Sequence, residues 1–289
     1  MQNTEGRIGN GVLYVVATPI GNLEDITLRA LRVLKEVDCI LCEDKRITSK
    51  LLNKYAIKST LIKYHKFNEQ QELENILSLL NSGKKIALVS DAGTPLISDP
   101  GERLIYEALK NRIKVSPIPG PSSLTSALSL CPFASLEFLF IGFLPHKKSK
   151  RKNTISSLKE RAKSIIMFIA PHDIKKYLNE IYEVYPTVEV FYARELTKIY
   201  EESWSGKIKD LVENLEKKKL KGEIVLGLYF GANNNGTYGV ALSNAEIISK
   251  VKTYIGKGHS LKKTSKILSK ELNLSSKHLY DLYIRRGNS

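Results

Sequence analysis

The sequence predicts an α/β protein built from two successive α/β domains and a small helical domain at its C-terminus. Three observations carry that prediction. Strand-like apolar runs alternate with helix-period segments from residue 12 onward. A Pro-rich stretch, Pro117-Ile-Pro119-Gly-Pro121, punctuates the alternation midway. Beyond the Asn- and Gly-rich segment Gly231–Gly239 only helical patterns remain.

The elements follow in order. Val12–Ala17 reads as a strand, and Ile26–Val37 as a helix with Ala30, Leu31, Leu34 and Val37 on one face. Cys39–Cys42 is a second strand, followed by a short helix near Thr48–Tyr55 and a strand at Thr60–Tyr64. In Asn68–Asn81 the residues Leu73, Ile76, Leu77 and Leu80 keep the 3.6-residue period of a helix. Strand Ile86–Val89, helix Glu102–Lys110 and strand Lys114–Ile118 complete a β-α series that implies a mostly parallel sheet covered on both faces. The second series runs helix Ser122–Leu130, strand Glu137–Gly142, helix Asn153–Ala162 and strand Ile165–Ile169. It continues with helix Ile174–Val184, strand Thr187–Ala193, helix Ile208–Leu215 and strand Glu223–Tyr229. The expected divisions are residues 1–119, residues 120–230, a linker at 231–242, and a basic helical domain at 243–289. Within the last, Leu261, Ser265, Leu268 and Leu272 share one face and Leu279, Leu282 and Tyr283 the next, the pattern of an αα-hairpin similar to a helix-turn-helix.

Composition bounds the function. The chain has 289 residues and 42% hydrophobic content, enough for real cores. Its apolar runs, such as Phe138–Phe143, are far too short for a bilayer, so no membrane partner is expected. The N-terminal segment has no apolar core like that of a signal peptide, and the three cysteines do not suggest a disulfide framework; a cytoplasmic location is expected. The five His are scattered and no Cys/His cluster occurs, so no metal is expected. The net charge is +15. It is concentrated in the tail and in the cluster Lys147-Lys148-Ser-Lys150-Arg151-Lys152, which points to a polyanion such as nucleic acid.

Three loops follow strands and carry the small and turn-forming residues of a ligand cleft: Thr18–Asn22, Ser90–Gly101 and Pro119–Ser123. They contain neither a phosphate loop of the G-x-x-x-x-G-K-[ST] type nor a G-x-G-x-x-G fingerprint, and no cluster of cations for a triphosphate. Asp91 and exposed carbonyls suit a ligand that is cationic at its reactive atom.

The blocks "LYVVATPIGNLEDITLRALRVL", "LCEDKR", "HKFNEQ", "ALVSDAGTPLISDPG", "PIPGPSSLTSAL", "GFLP", "ARELTK" and "KGEIV" occur in that order between residues 12 and 230. Together they resemble the bacterial 16S rRNA cytidine 2′-O-methyltransferases of the tetrapyrrole methylase superfamily. The resemblance implies a cleft between two α/β domains that holds S-adenosylmethionine. Pro19 and Gly21 would line it, with Ser90, Asp91, Ala92, Gly93 and Thr94 in the main loop and Pro119, Gly120, Pro121 and Ser122 in the third. It further implies 16S rRNA of the small ribosomal subunit as partner, and a homodimer.

For the proton of the acceptor hydroxyl, the same blocks offer Glu43, Asp44 and His65, with Asp44 as base or orienter; Glu195 is a further carboxylate. A purely structural reading of the acidic pair is a helix cap, or an ion pair with Arg46. Residues expected on the RNA are Arg46, Asn68, Lys147, Lys148, Arg151, Arg194, Glu195, Lys198 and Lys221. The chain departs from the family pattern at Lys45, where Thr is usual, and after "KGEIV". It also departs at "IAPHDIKKYL", where Ala170 and Asp173 stand in place of an acid and a base. Two alternatives compete: a superfamily relative acting on a small acceptor such as a tetrapyrrole, and a non-catalytic nucleic-acid-binding protein. The basic segments argue against the first and the intact cofactor loops against the second.

Overall fold

The computed structural model describes residues 11–133, 137–231, 244–272 and 275–286. The chain divides into two compact units, Met1–Phe230 and Gly231–Ser289. The first carries both sheets.

Its first half is a doubly covered parallel sheet. The elements are β1 (Val12–Val16), α1 (Leu28–Glu36), β2 (Cys39–Cys42), α2 (Lys45–Lys54), β3 (Thr60–Lys63) and α3 (Glu69–Asn81). They are followed by β4 (Lys85–Leu88), α4 (Glu102–Lys110) and β5 (Lys114–Ile118). The order is β3-β2-β4-β1-β5 and every pairing is parallel, as the β-α alternation implies. Strand β2 is buried along its whole length, which explains its unbroken apolar sequence. One core lies on the α1/α2 face around Leu34, Ile40 and Leu52, and the other on the α3/α4 face around Leu13, Ile76 and Leu104. The Cys39 and Cys42 thiols are free and buried in these layers, and burial pushes both upward.

The second half comprises α5 (Ser123–Leu130), β6 (Leu139–Phe143), α6 (Lys148–Ser156), α7 (Leu158–Arg161), β7 (Ser164–Ile169) and α8 (Ile174–Val184). It ends with β8 (Glu189–Arg194), β9 (Glu202–Lys207), α9 (Ile208–Leu215) and β10 (Ile224–Tyr229). The sheet order is β6-β7-β10-β8-β9, and only β6–β7 is parallel. Two features differ from the sequence reading. Strand β9, ESWSGK, has the alternating exposure of an edge strand; its Ser, Gly and Lys content hides it from a search for apolar runs. The helix expected near 153 begins five residues earlier, at Lys148, so the basic cluster sits on its first turns. A buried cluster including Ile20, Phe133, Ile166, Phe191 and Val225 joins the first loop to the second sheet.

In the second unit, α10 (Asn244–Gly256), α11 (Leu261–Leu272) and α12 (Ser276–Arg286) pack through Ile247, Val251, Leu268 and Leu279. Lys252, Lys257, Lys262, Lys263 and Lys266 are exposed. The expected 231–242 linker lies, except for Gly231, outside the described residues. No described helix is long and apolar enough to cross a membrane, and no group of three or more His, Cys, Asp or Glu among the described residues is arranged to hold a metal.

Candidate functional site

At the carboxyl edge of the first sheet three loops are hydrogen-bonded into one body. Thr18 N donates to Gly93 O at 2.8 Å and Gly93 N returns the bond to Thr18 O at 3.0 Å. The Thr18 hydroxyl donates to Ser90 O at 3.1 Å, and the Thr94 hydroxyl to Pro121 O at 3.1 Å. The small hydroxyl residues therefore satisfy the polar groups of backbone that belongs to neither helix nor strand. Gly101 has φ +126°, and a Cβ there would lie 2.8 Å from Leu88 Cδ2, so the loop needs glycine at that point. Leu96 and Ser98 also have positive φ, 75° and 72°, a conformation costing about 1–3 kcal/mol per residue and retained where surrounding structure enforces it.

The loops enclose two adjoining cavities of about 280 and 270 Å³, with Ile20, Ala92 and Glu223 shared by both linings. Of the residues expected at the cofactor, Ala92, Gly93, Thr94 and Ser122 line the first; Pro19, Gly21, Ser90, Asp91 and Ala92 line the second. Gly120 and Pro121 stand behind them. A Cβ on Gly120 would approach Ala17 Cβ to 3.1 Å, and Pro121 supplies its carbonyl to Thr94. Pro119 belongs to that same supporting loop. The second sheet closes the first cavity with Phe143, Phe168, Ile169, Ala170, Pro171 and Val225. Ala170, one of the two residues departing from the family pattern, thus presents a methyl group to the cleft. The other, Asp173, sits 3.5 Å from the exposed His172.

The electrostatics single out carboxylates. Glu43 is half-buried, and burial followed by the Asp91 charge raises its pKa; His65 partly offsets this. Burial also raises Asp91, while the Asp44 N–H donated to its Oδ1 at 3.0 Å works the other way. Asp99 lines the first cavity and is pushed up to about 6, by burial first and then by Glu43, Asp91 and Glu223; the Ser90 hydroxyl opposes this. Sequence reasoning missed Asp99 as a titrating group. It stands in plain view in "SDAGTPLISDPG", but Asp-Pro-Gly reads first as a turn.

Asp44 is different. It caps α2, accepting from Arg46 N at 2.8 Å, and its carboxylate is gripped by Arg46 Nε and Nη2 at 3.1 and 2.6 Å. The Arg46 guanidinium holds it down at about 2, which favours the orienting role of the two expected for Asp44. His65 Nδ1 accepts from Asn68 N at 3.2 Å, and Asn68 Oδ1 accepts from His65 N at 2.8 Å, so these two residues build a loop together.

The residues expected on RNA separate in the same way. Arg46, Lys147, Lys148 and Lys221 are exposed. Arg151 is a correction: it is fully buried, bonded through Nε and Nη2 to Glu180 at 2.6 and 2.8 Å and stacked 4.6 Å above the Tyr177 ring. Its Nε, Nη1 and Nη2 are committed to Glu180 and to the Pro145 and His146 carbonyls, which withdraws it from a phosphate. Arg194 is bound to Glu202 and to Lys221 O. Glu195 accepts from Lys198 Nζ at 2.7 Å and Glu223 N at 3.2 Å, while Thr197 accepts from Asn22 N at 3.1 Å. The ARELTK segment therefore clamps the second sheet onto the first loop, with Lys198 on the wall of the second cavity. Asn68 is similarly committed, donating to Lys63 O at 2.8 Å.

A cleft roofed by strained glycine-rich loops, floored by carboxylates and shared between a parallel and a mixed sheet has a match among known families. The model of the tetrapyrrole (corrin/porphyrin) methylases covers residues 12–212, and the chain belongs to that family. Within it the chain is similar to proteins named ribosomal RNA small subunit methyltransferase I. It is 47% identical to the Thermotoga maritima protein over 75% of this chain and 98% of that one. To the Halalkalibacterium halodurans protein it is 36% identical over 98% of both chains, the helical tail included. Among solved structures it is similar to a cobalt precorrin-4 methyltransferase, with a TM-score of 0.57 and 17% identity over 75% of this chain and 95% of that one. It also resembles the Thermus thermophilus uroporphyrin III C-methyl transferase, with a TM-score of 0.54 and 14% identity over 75% and 97% of the two chains. These two likenesses establish the fold alone.

Proposed function

We propose that this chain transfers a methyl group from S-adenosylmethionine to the ribose 2′-hydroxyl of a cytidine in 16S rRNA. The observation that carries the reading is the acid-floored cleft, at the site of the motif loops, in a chain similar over nearly its full length to small-subunit rRNA methyltransferases. The residues present fit the cofactor. Half-buried Asp91 and Asp99 line the cavities with their pKa values raised, chiefly by burial, and so favour a positively charged occupant, and Phe143, Phe168 and Ile20 give apolar walls. When bound, the cofactor supplies a methyl group on a cationic sulfonium, an activated electrophile with a neutral leaving group. Ser90, Asp91, Ala92, Gly93 and Thr94 with Pro19 and Gly21 would hold it, and Ser122 would close one side.

The acceptor hydroxyl is a weak nucleophile that must lose its proton during transfer. Asp99 is the proton acceptor in this reading. It lines the cavity and is ionised above about pH 6, yet it remains a stronger base than an exposed carboxylate. Asp44, pinned by Arg46, fixes the β2 loop and through its N–H orients Asp91. Outside the cleft, Arg46, Lys147, Lys148, Lys221 and the exposed lysines of α10 and α11 provide cations for phosphate. The reading places the protein in the cytoplasm, where ribosomal subunits are assembled, and as a homodimer.

The test is methyl transfer from radiolabelled S-adenosylmethionine to small subunits from a strain lacking the enzyme, followed by digestion to nucleosides. Label in 2′-O-methylcytidine is the expected result. Unlabelled subunits, with cofactor binding intact, would overturn the ribosomal assignment.

A further inference from the structure

The strand order β3-β2-β4-β1-β5 sets out a row of loops along the carboxyl edge of the first sheet. The loops after β4, β1 and β5 line the cavities; the loop after β3 stands at the other end of the row, its His65 close enough to act on Glu43 of the β2 loop. That loop is built stiff. Tyr64 N donates to Cys42 O at 2.8 Å, and His65 and Asn68 exchange the two bonds already described. On this frame Phe67 stands 90% exposed, with the His65 ring edge-on to it at 5.9 Å and 78°. Lys63 and Lys66 flank it in sequence, and Lys45 and the Asp44-bound Arg46 stand on the first turn of α2, after the neighbouring strand β2, all four exposed. An aromatic face held in place among cations is the arrangement that binds single-stranded nucleic acid, with the base on the ring and phosphates on the cations. A protein interface core is depleted of lysine, which argues against a protein occupant.

We propose that Phe67 is a stacking platform for an unpaired base of the RNA acceptor strand, with Lys63 and Lys66 on the flanking phosphates. The proposal rests on the RNA reading above and deepens it. Phe67 would position the acceptor strand at the mouth of the cleft without touching the cofactor.

The experiment uses the full chain and its Phe67→Ala, Phe67→Leu, Phe67→Tyr and Phe67→Trp variants, with methyl transfer to small subunits resolved into kcat and KM. Loss of one base–aromatic stack predicts a roughly 5- to 150-fold fall in kcat/KM for Phe67→Ala, carried mainly by KM. Phe67→Leu keeps an apolar side chain but no π-face and should fall likewise, while Tyr and Trp should restore activity to within about threefold. S-adenosylmethionine affinity and the thermal midpoint should be unchanged throughout, because the ring is exposed. Wild-type kinetics in Phe67→Ala, or full activity in Phe67→Leu, would overturn the proposal. A change of sedimentation coefficient in Phe67→Ala would also overturn it, by showing that the ring serves a protein contact. If the wild-type protein itself leaves subunits unlabelled, the RNA reading falls and this proposal with it; failure of the variants alone strikes only the stacking role.

Discussion

Asp99→Asn removes one negative charge from the cleft while nearly conserving shape, and its consequence for stability can be worked out in sign and size. Asp99 titrates at about 6 in the fold against an ordinary 3.8. The folded protein therefore binds the proton more tightly than the unfolded chain, and stability falls as pH rises between those two values. Each pH decade in that window is worth about 1.4 kcal/mol, so the ionised carboxylate costs the fold on the order of 3 kcal/mol at pH 7.5. The variant escapes that cost. Its thermal midpoint at pH 7.5 should exceed that of the wild type by roughly 6–12 °C for a chain of this size. The gap should close as pH falls through 6 and vanish near pH 4. Activity should move the other way, with wild-type kcat rising with pH to a plateau above about 6 and the variant losing both rate and inflection. Calorimetric scans from pH 4 to 8 beside single-turnover rates test both halves. Equal midpoints at every pH, or a less stable variant at pH 7.5, would refute the argument, because the carboxylate would then be no burden to the fold.

Further outcomes follow from the same geometry. Asp44→Asn should leave the activity midpoint near pH 6 in place, because Asp44, held at about 2, is already ionised throughout that range; a pH–rate profile checks this. Arg151→Ala strands the Glu180 carboxylate and should cost about 3–5 kcal/mol in a denaturant titration. It should not change the salt slope of RNA binding, whereas removing Lys147 and Lys148 together should lower that slope by about 1–2. Calorimetry with S-adenosylmethionine should show affinity falling as pH drops below 6 and Asp99 is neutralised, while the uncharged thioether product should show a much weaker dependence.

The parallel half of the fold was legible because its strands are buried on both faces and its helices carry clean apolar stripes: Cys39–Cys42 and Leu73–Leu80 announce themselves. The mixed half was less so. An edge strand such as Glu202–Lys207 buries only alternate residues, and strand direction leaves no periodic mark on a sequence, so the antiparallel pairings of β10 were beyond reach. At the site, the loops were legible by composition, but the division of labour within them was not. A basic run looks alike whether its arginine faces phosphate or folds inward, and Arg151 turns inward because Glu180 and the Pro145 and His146 carbonyls await it across 5 to 29 residues of chain. Asp44 and Asp99 are both loop aspartates. What separates their pKa values is a guanidinium at 2.6 Å in one case and burial beside other carboxylates in the other.

That contrast bears on how the protein arranges its charge. A chain of net charge +15 has placed Asp91 and Asp99 half-buried in the linings of two adjoining cavities, each raised above its ordinary value. Such an arrangement is unfavourable in isolation, and the left-handed backbone at Leu96 and Ser98 adds to the cost. Both burdens fall on the loop that carries Asp99, and both are borne by the two cores packed against it. On the proposed reading the separation of sign has a purpose. Exposed lysines outside the cleft attract the RNA backbone, while Lys198, on the cavity wall, is spent on Glu195 and Glu223, so Asp91 and Asp99 stay available to a cationic donor. Once the methyl group has left, the product is uncharged and the attraction that held it is gone. The same carboxylates that weaken the fold at neutral pH thereby favour binding before transfer and release after it.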